Sequence, residues 1–307
     1  MSSAASGIFA AVVTPLHADL SVDHALLARH CRWLLANGCD GLSILGTTGE
    51  ANSFSVDERI EILERLIDAG LPAARLMPGT GCCALPDSVA LSRHALARGA
   101  AGVLVLPPFY YKGVSDDGLF AAYADIIERV GDERLRVYLY HFPKMSAVPL
   151  SRDLIGRLRE RYPETVVGMK DSSGDVAGMI ATVRSFPGFH VLAGSDECLL
   201  ALLREGGAGC ITAVNNVASS IAARVLAAHG KGDAAAAQAA QDRLGAIRAA
   251  IAAYPLSAAL KEILAVNSGV ENWRFVRPPL TRLAGADAAA LASALDRLAF
   301  KPPTPLG

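Results

Sequence analysis

Lys170 is the residue whose type and position most directly indicate chemistry. It follows the apolar run Val166–Met169, so its side chain leaves a segment that is typical of a buried strand. Partial desolvation at such a position favours the neutral amine, which is the nucleophilic form of lysine. A neutral amine attacks a carbonyl carbon and forms a Schiff base, which then acts as an electron sink. The alternative is a lysine that extends into solvent or pairs with Asp171 or Asp175.

Tyr140 is the second candidate, and it lies near the end of the apolar run that precedes the one ending in Lys170. If the two runs are neighbouring parallel strands, both side chains lie at the same height. A phenol there can pass protons between an amine, a carbinolamine and a substrate. The alternative is a core tyrosine whose hydroxyl has a single hydrogen-bond partner.

A pair of threonines, Thr47 and Thr48, follows the apolar run Gly41–Leu45 and is bracketed by Gly46 and Gly49. Backbone amides in such a turn can hold a small anion, for example a carboxylate. Threonines that merely cap a turn are the alternative. The turn is therefore a candidate carboxylate site.

The elements that must position these residues alternate regularly along the chain. Eight apolar runs indicate strands: Ile8–Pro15, Gly41–Leu45, Leu76–Gly79, Gly102–Leu106, Arg136–His141, Val166–Lys170, His190–Gly194 and Gly209–Val214. Helical patterns lie between them, among them Asp23–Leu35, Val56–Ala69, Asp87–Arg98, Asp117–Val130, Ser151–Arg161 and Asp196–Glu205. Nearly continuous apolar runs are typical of parallel strands that are covered on both faces. The pattern predicts an α/β fold, a (β/α)8 TIM barrel, whose chemistry lies at the C-terminal ends of the strands.

An open, doubly wound sheet is the competing architecture. Its glycine-rich dinucleotide loop is expected after the first strand, where Val13-Thr14-Pro15-Leu16 stands instead. The last part of the chain shows helical patterns without strands, over Asn216–Ala253, Leu256–Asn267 and Asp287–Ala299. We therefore predict a catalytic barrel over residues 1–229 and a C-terminal helical extension over residues 230–307, whose helices serve assembly.

Composition excludes several classes of protein. With 307 residues, 52% of them hydrophobic, the chain has a large core and is not disordered. The 29 lysines and arginines balance 30 aspartates and glutamates, which argues against nucleic acid or anionic membranes as partners. The six cysteines form no C-x-x-C pair, and neither an export signal nor an apolar run of about 18 residues is recognisable. We therefore expect a cytoplasmic protein with reduced thiols.

Five motifs of this sequence are similar, in their order, to those of a known enzyme family. They are Gly46-Thr47-Thr48-Gly49-Glu50, Pro108-Phe109-Tyr110-Tyr111, Tyr140-His141-Phe142-Pro143, Gly168-Met169-Lys170-Asp171 and Gly209-Cys210-Ile211-Thr212. Through them the chain resembles the dihydrodipicolinate synthase / N-acetylneuraminate lyase family of Schiff-base aldolases, over about residues 8–217. A helical C-terminal part also fits that family.

The resemblance implies catalytic roles for four residues. Lys170 matches the lysine that forms an imine with pyruvate, and Tyr140 matches the tyrosine that donates and accepts protons. Thr47 and Tyr110 match members of a hydroxyl relay, in which the tyrosine is often lent by a neighbouring subunit. The resemblance further implies a homotetramer, a dimer of tight dimers, that needs no cofactor.

Substrate contacts are implied in the same way. Thr48 and its backbone neighbours, Gly46 among them, match the site of the pyruvate carboxylate, and Ile211 matches a position whose main chain holds pyruvate. His141 replaces the asparagine usual in the synthase branch, and either contacts a hydroxylated substrate or packs at the strand end. Met145 stands where that branch normally has an arginine for the carboxylate of the aldehyde. A thioether cannot replace a bidentate guanidinium, which argues against true dihydrodipicolinate synthase activity.

These observations favour a pyruvate-dependent class I lyase. It condenses pyruvate with an aldehyde, or cleaves a 2-keto-3-deoxy acid, through an imine on Lys170. A sugar-acid dehydratase that uses the same imine and a non-catalytic pyruvate-binding protein are the alternatives. A metal-dependent aldolase needs clustered histidine and carboxylate ligands, whereas the seven histidines of this chain are scattered. We therefore expect neither a metal nor a cofactor.

Overall fold

One parallel sheet brings together the strand ends that carry the candidate site residues. The computed structural model describes residues 5–302. Within this range the strands form one sheet in the order β2-β1-β7-β6-β5-β4-β3, and every pairing is parallel. The strands are β1 (Gly7–Ala11), β2 (Gly41–Ser43), β3 (Val103–Val105), β4 (Val137–His141), β5 (Val166–Asp171), β6 (His190–Ala193) and β7 (Gly209–Thr212).

The segment 76–79, which the sequence predicts as a strand, closes this sheet into a barrel between β2 and β3. On one side the N–H of Met77 donates to the carbonyl of Leu42 over 2.8 Å. On the other side the carbonyl of Pro78 accepts the N–H of Leu104 over 3.0 Å. Because proline has no N–H, the segment makes bridges to both neighbours instead of a regular ladder. The predicted (β/α)8 TIM barrel is confirmed, with this segment in the place of one strand.

Helices surround the barrel and extend it at the C-terminus. In the described chain they are α1 (His24–Ala36), α2 (Val56–Asp68), α3 (Leu85–Ala97), α4 (Asp116–Val130), α5 (Pro143–Ser146), α6 (Arg152–Arg161), α7 (Val176–Ser185), α8 (Leu199–Arg204), α9 (Asn215–Gly230), α10 (Ala234–Ala252), α11 (Leu256–Ser268) and α12 (Gly285–Arg297). Between residues 5 and 302 no single helix is long and apolar enough to cross a membrane. The pair α10 and α11, bent by 104°, meets that criterion together, by length and composition only.

The prediction of one continuous helix over 216–253 is wrong, because α9 and α10 are separate. Gly232 adopts a φ of +74°, in the left-handed region that ends a helix. The side chain of Asp233 then accepts the N–H of Ala236 and starts the next helix. The alanine-rich sequence around this break conceals it, since alanine is the strongest helix former.

The C-terminal helices share one hydrophobic core with the barrel. Leu244 and Ile247 of α10 and Leu260 and Leu264 of α11 are buried in the same cluster as the outer barrel residues. We therefore propose the division into residues 1–229 and 230–307 as a division of the sequence, and not as one between two separate hydrophobic cores. It places the boundary beside the turn between α9 and α10.

Candidate active site

Lys170 and Tyr140 lie side by side because their strands pair in register. Tyr140 of β4 is the Cα partner of Lys170 of β5. The Nζ atom of Lys170 donates to the hydroxyl of Tyr140 over 3.2 Å and lies 4.4 Å from the centre of its ring. Each residue is 4% exposed. The lysine is thus buried against the phenol and does not extend into solvent.

The two carboxylates near Lys170 in the sequence have other partners. Asp171 accepts the N–H of Ser173 over 2.8 Å. Asp175 accepts the N–H of Gly178 over 3.0 Å and so caps α7. Successive residues of a strand point to opposite faces, which separates Asp171 from the lysine before it. A structural ion pair therefore does not explain the buried lysine.

Thr47 extends this pair into a chain of three polar groups. Its hydroxyl oxygen lies 3.3 Å from the hydroxyl of Tyr140, and either group can be the donor. Together with Lys170 the two hydroxyls form a continuous path along which a proton can move. The structure thus brings three of the predicted catalytic residues together.

The turn after β2 is held in an unusual backbone conformation. Leu45 and Glu50 adopt φ values of 56° and 60°, which non-glycine residues rarely do. A Cβ atom at Gly49 would lie 2.8 Å from the carbonyl oxygen of Val12, so only glycine fits there. Such conformations persist where the surrounding structure enforces them, and they cluster at functional sites.

The same turn presents its first amides to the cavity. Thr47 and Thr48 both line the cavity that contains Lys170. Their backbone N–H groups make no hydrogen bond with another residue of the range 5–302. A Cβ atom added at Gly46 would meet no atom within 4 Å, so this position also faces open space. The predicted carboxylate site is therefore geometrically available.

A buried ion pair, which sequence reasoning missed, ties this turn to the C-terminal helices. The ammonium of Lys261 on α11 donates to the carboxylate of Glu50 and, over 2.7 Å, to the carbonyl of Phe275. The other carboxylate oxygen of Glu50 accepts the N–H of Arg277 over 3.1 Å. Burial lowers the pKa of Lys261, and the charge of Glu50 opposes this effect. The contact joins positions 211 residues apart, so no local pattern reveals it.

Neither Ile211 nor His141 lines the cavity that contains Lys170. Ile211 is completely buried and packs in the cluster that contains Tyr140. His141 accepts the N–H of Leu150 at its Nδ1 atom over 3.1 Å. Burial lowers the pKa of His141, and two nearby aspartates oppose the shift. Of the two roles considered for His141, this geometry favours packing at the strand end.

Tyr110 does not line the cavity that contains Lys170. It is 74% exposed and makes an edge-to-face contact with Tyr111, which is 73% exposed, at 5.4 Å between ring centres. Its part in the hydroxyl relay therefore stays a prediction, and it requires a second copy of the chain.

A cavity of about 730 Å³ opens above Lys170. The barrel supplies one wall, including Thr48, Phe142, Met145 and Ser195. The C-terminal part supplies the other, with Arg248, Pro255, Leu256, Ser257, Ala258, Val276, Pro279, Leu280 and Thr281. The C-terminal helices thus shape the cavity, and their part in assembly stays a prediction. No group of three or more His, Cys, Asp or Glu side chains in the described range is arranged to hold a metal ion.

A lysine, a tyrosine and a threonine that meet inside the C-terminal rim of such a barrel define a TIM-barrel enzyme. The model of the dihydrodipicolinate synthetase family matches residues 4–298, and the chain belongs to this family. Its members are lyases, and so is this chain.

Curated relatives cover the chain almost completely. A DapA-like lyase from Chloroflexus aurantiacus is 37% identical over 95% of this chain and 96% of its own length. A 4-hydroxy-tetrahydrodipicolinate synthase from Acidiphilium cryptum is 33% identical over 95% of this chain and 98% of its own length. The similarity therefore includes the C-terminal helices as well as the barrel.

Solved structures agree in fold. Dihydrodipicolinate synthase from Agrobacterium tumefaciens superposes with a TM-score of 0.88 and 32% identity, over 96% of this chain and 99% of that one. YagE, a prophage protein of the same family from E. coli K12, was solved in complex with pyruvate. It superposes with a TM-score of 0.88 and 29% identity, over 96% of this chain and 98% of that one.

Proposed function

We propose that this chain is a pyruvate-dependent class I lyase that works through an imine on Lys170. The observation that carries the proposal is the contact of 3.2 Å between the buried amine of Lys170 and the hydroxyl of Tyr140, beside a turn with free amides. The YagE structure with pyruvate supports the choice of the keto acid. The free amides of Thr47 and Thr48 are suited to its carboxylate.

The reaction begins when the neutral amine of Lys170 adds to the keto carbon of pyruvate and forms a carbinolamine. As the carbinolamine forms, Tyr140 transfers one proton from the amine to the former carbonyl oxygen. It then passes a second proton, taken up from solvent, to the resulting hydroxyl, which leaves as water while the nitrogen keeps its remaining proton. The resulting cationic imine withdraws electrons, so the adjacent methyl carbon loses a proton and an enamine forms. That carbon then bonds to the aldehyde carbon, whose oxygen takes up a proton. Water finally hydrolyses the imine and restores Lys170.

The same steps in reverse cleave a 2-keto-3-deoxy acid into pyruvate and an aldehyde. The acceptor differs from that of the synthase branch, because Met145 lines the cavity where the resemblance expects an arginine. Met145 is 62% exposed and offers no charge for a carboxylate. We therefore expect aspartate semialdehyde to be a poor acceptor.

Assembly completes the relay in this proposal. Exposed Tyr110 acts in the cavity of a neighbouring subunit of a homotetramer, which resides in the cytoplasm. Mixing a Lys170→Ala chain with a Tyr110→Phe chain tests this arrangement. If Tyr110 acts in the neighbour, mixed oligomers contain complete sites and activity rises above that of either variant alone. Activity that stays at the level of the separate variants contradicts it.

Reductive trapping tests the central step. The protein is incubated with pyruvate and reduced with borohydride, and the mass increase is located by peptide mapping. We expect an adduct on Lys170 that Lys170→Ala abolishes and Lys144→Ala, a change in the same cavity, preserves. The proposal fails if no adduct forms or if it lies on another residue. An adduct without turnover of any aldehyde or sugar acid instead identifies a pyruvate-binding protein, and loss of water without carbon–carbon cleavage identifies a dehydratase.

A further inference from the structure

Arg248 is a cation of the cavity wall to which the proposed mechanism gives no role. It lies on α10, and its side chain faces the same cavity as Lys170. Its Nε atom is buried without a hydrogen-bond partner within residues 5–302. No ion pair of that range includes its guanidinium. A buried donor without a partner costs free energy, so it calls for an explanation.

Two other arginines of the C-terminal part form ion pairs. Arg274 contacts Glu262 over 2.8 Å, and Arg277 contacts Glu58 over 2.5 Å. The charge of each of these two guanidinium groups is therefore balanced by a carboxylate. Arg248 is half-buried and forms no ion pair within residues 5–302.

Asp196 and Glu197 form no ion pair with Arg248 within residues 5–302, although Oδ2 of Asp196 is buried without a hydrogen-bond partner there. Asp196 is fully buried and accepts the hydroxyl of Thr212 over 2.6 Å. Burial raises the pKa of Asp196 to about 6, and the charge of Arg248 acts in the opposite direction. Glu197, which also lines the cavity, accepts the hydroxyl of Ser195. The guanidinium of Arg248 therefore stays available to a ligand.

We propose that Arg248 binds a carboxylate at the end of the acceptor that is remote from its carbonyl. This inference rests on the proposed function and names its substrate class: ω-oxo acids in condensation, and dicarboxylic 2-keto acids in cleavage. Lys170 and Arg248 line the same cavity, one from the barrel and one from the C-terminal part. The two ends of one bound molecule can therefore contact the two residues. A planar guanidinium binds a carboxylate through two parallel hydrogen bonds. Because Glu197 lines the same cavity, the local charge suits a carboxylate better than a phosphate dianion.

The arrangement also accounts for Met145. The position that carries the acceptor-binding arginine in the resembling synthases is apolar here, and a cation stands on another element of the same cavity. A carboxylate held from α10 enters from a different direction. The acceptors that fit therefore differ in length and shape from that of the synthases.

The test compares acidic and neutral acceptors with the full-length enzyme. Glyoxylate, malonic semialdehyde and succinic semialdehyde are assayed with pyruvate against their methyl esters. Wild type is expected to prefer at least one acid over its ester. Arg248→Gln should raise the KM for that acid about 10- to 100-fold, the loss expected for hydrogen bonds to a charged group. The ester reaction should stay unchanged, and Arg248→Lys should recover part of the loss.

Controls separate this inference from the function on which it rests. Arg243→Gln changes an arginine on the same helix that donates to the carbonyl of Ala299, and it should not affect the KM for acids. Borohydride should still trap pyruvate on Lys170 in Arg248→Gln. If trapping fails in wild type, the proposed function is wrong. The inference about Arg248 is overturned if trapping succeeds but the KM values for acids and esters rise equally in Arg248→Gln. It is also overturned if the largest rise in KM is that for glyceraldehyde 3-phosphate.

Discussion

The two walls of the cavity are built in opposite ways. On the barrel wall, Lys170 and Tyr140 are fixed by strand register and contact each other, so their polar atoms are mutually satisfied. On the C-terminal wall, Arg248 lies on a helix outside the sheet, and its Nε has no partner in the described chain. Catalytic groups need a fixed geometry relative to one another. A group that binds the substrate, in contrast, must have hydrogen-bonding capacity that the protein itself does not use.

This contrast separates chemistry from selection within one cavity. A change in the barrel wall should reduce turnover with every acceptor, since all reactions share the imine in the proposed mechanism. A change in the C-terminal wall should alter which acceptor is used and leave imine formation intact.

Lys170→Ala should remove the nucleophile altogether. We expect kcat/KM to fall by about 10⁴-fold or more with every acceptor, since no other group of this centre can form the imine. Steady-state kinetics measure the loss, and thermal unfolding shows whether the fold is kept. Lys144→Ala is the matched change in the same cavity, and substantial activity left in Lys170→Ala would contradict the assignment.

Tyr140→Phe should keep the imine but slow the proton transfers. We expect kcat to fall by about 10²- to 10⁴-fold, the range typical of general acid–base catalysis. Borohydride should still trap pyruvate on Lys170, only more slowly. Tyr162→Phe removes a hydroxyl that contacts Glu128 at the surface and serves as the control. Equal rates for Tyr140→Phe and wild type would exclude the phenol from the mechanism.

Glu50→Gln tests the link between the two walls. It leaves the buried ammonium of Lys261 without a charged partner, which should lower the free energy of unfolding by about 3–5 kcal/mol. The double variant with Lys261→Met removes both charges and should recover part of this loss. Urea unfolding measures both. A Glu50→Gln variant as stable as wild type would show that the ion pair does not hold the turn.

Glu58→Gln should have the smallest effect and a defined pH dependence. The hydrogen bond from Arg277 lowers the pKa of Glu58 to about 2, from its ordinary value of 4.5. The stabilisation is therefore complete above about pH 4.5 and is lost as the pH falls through about 2. Because the pair is partly exposed, we expect less than about 1 kcal/mol. Unfolding of wild type and variant across this range checks the prediction, and a difference that grows with acidity would contradict it.

The sequence predicts the barrel wall well because its signals are local. Apolar runs mark the strands, and parallel register then places Tyr140 beside Lys170. The turn that contains Thr47 and Thr48 is marked by its glycines. These residues follow from short patterns and one rule of strand pairing.

The C-terminal wall could not be predicted in the same way. Arg248 and Lys261 lie in helices whose patterns indicate only burial, and their meaning depends on what the folded chain brings opposite them. The partner of Lys261 lies 211 residues earlier in the sequence. The break at Gly232 was hidden because the surrounding alanines favour a helix on both sides. Tyr110 adds a further limit, since its predicted partner belongs to another copy of the chain.

The ion pair between Glu50 and Lys261 restricts how such enzymes can be recombined. Grafting the C-terminal helices of a relative onto this barrel would exchange the wall that contains Arg248, the residue proposed to select the acceptor. The same graft would also replace the residue that neutralises Glu50. A chimera must therefore take positions 50 and 261 from the same parent. Otherwise the turn that contains Thr47 and Thr48 loses the ion pair that holds it. We therefore expect that exchanging the C-terminal helices alone will not transfer substrate selectivity between such enzymes.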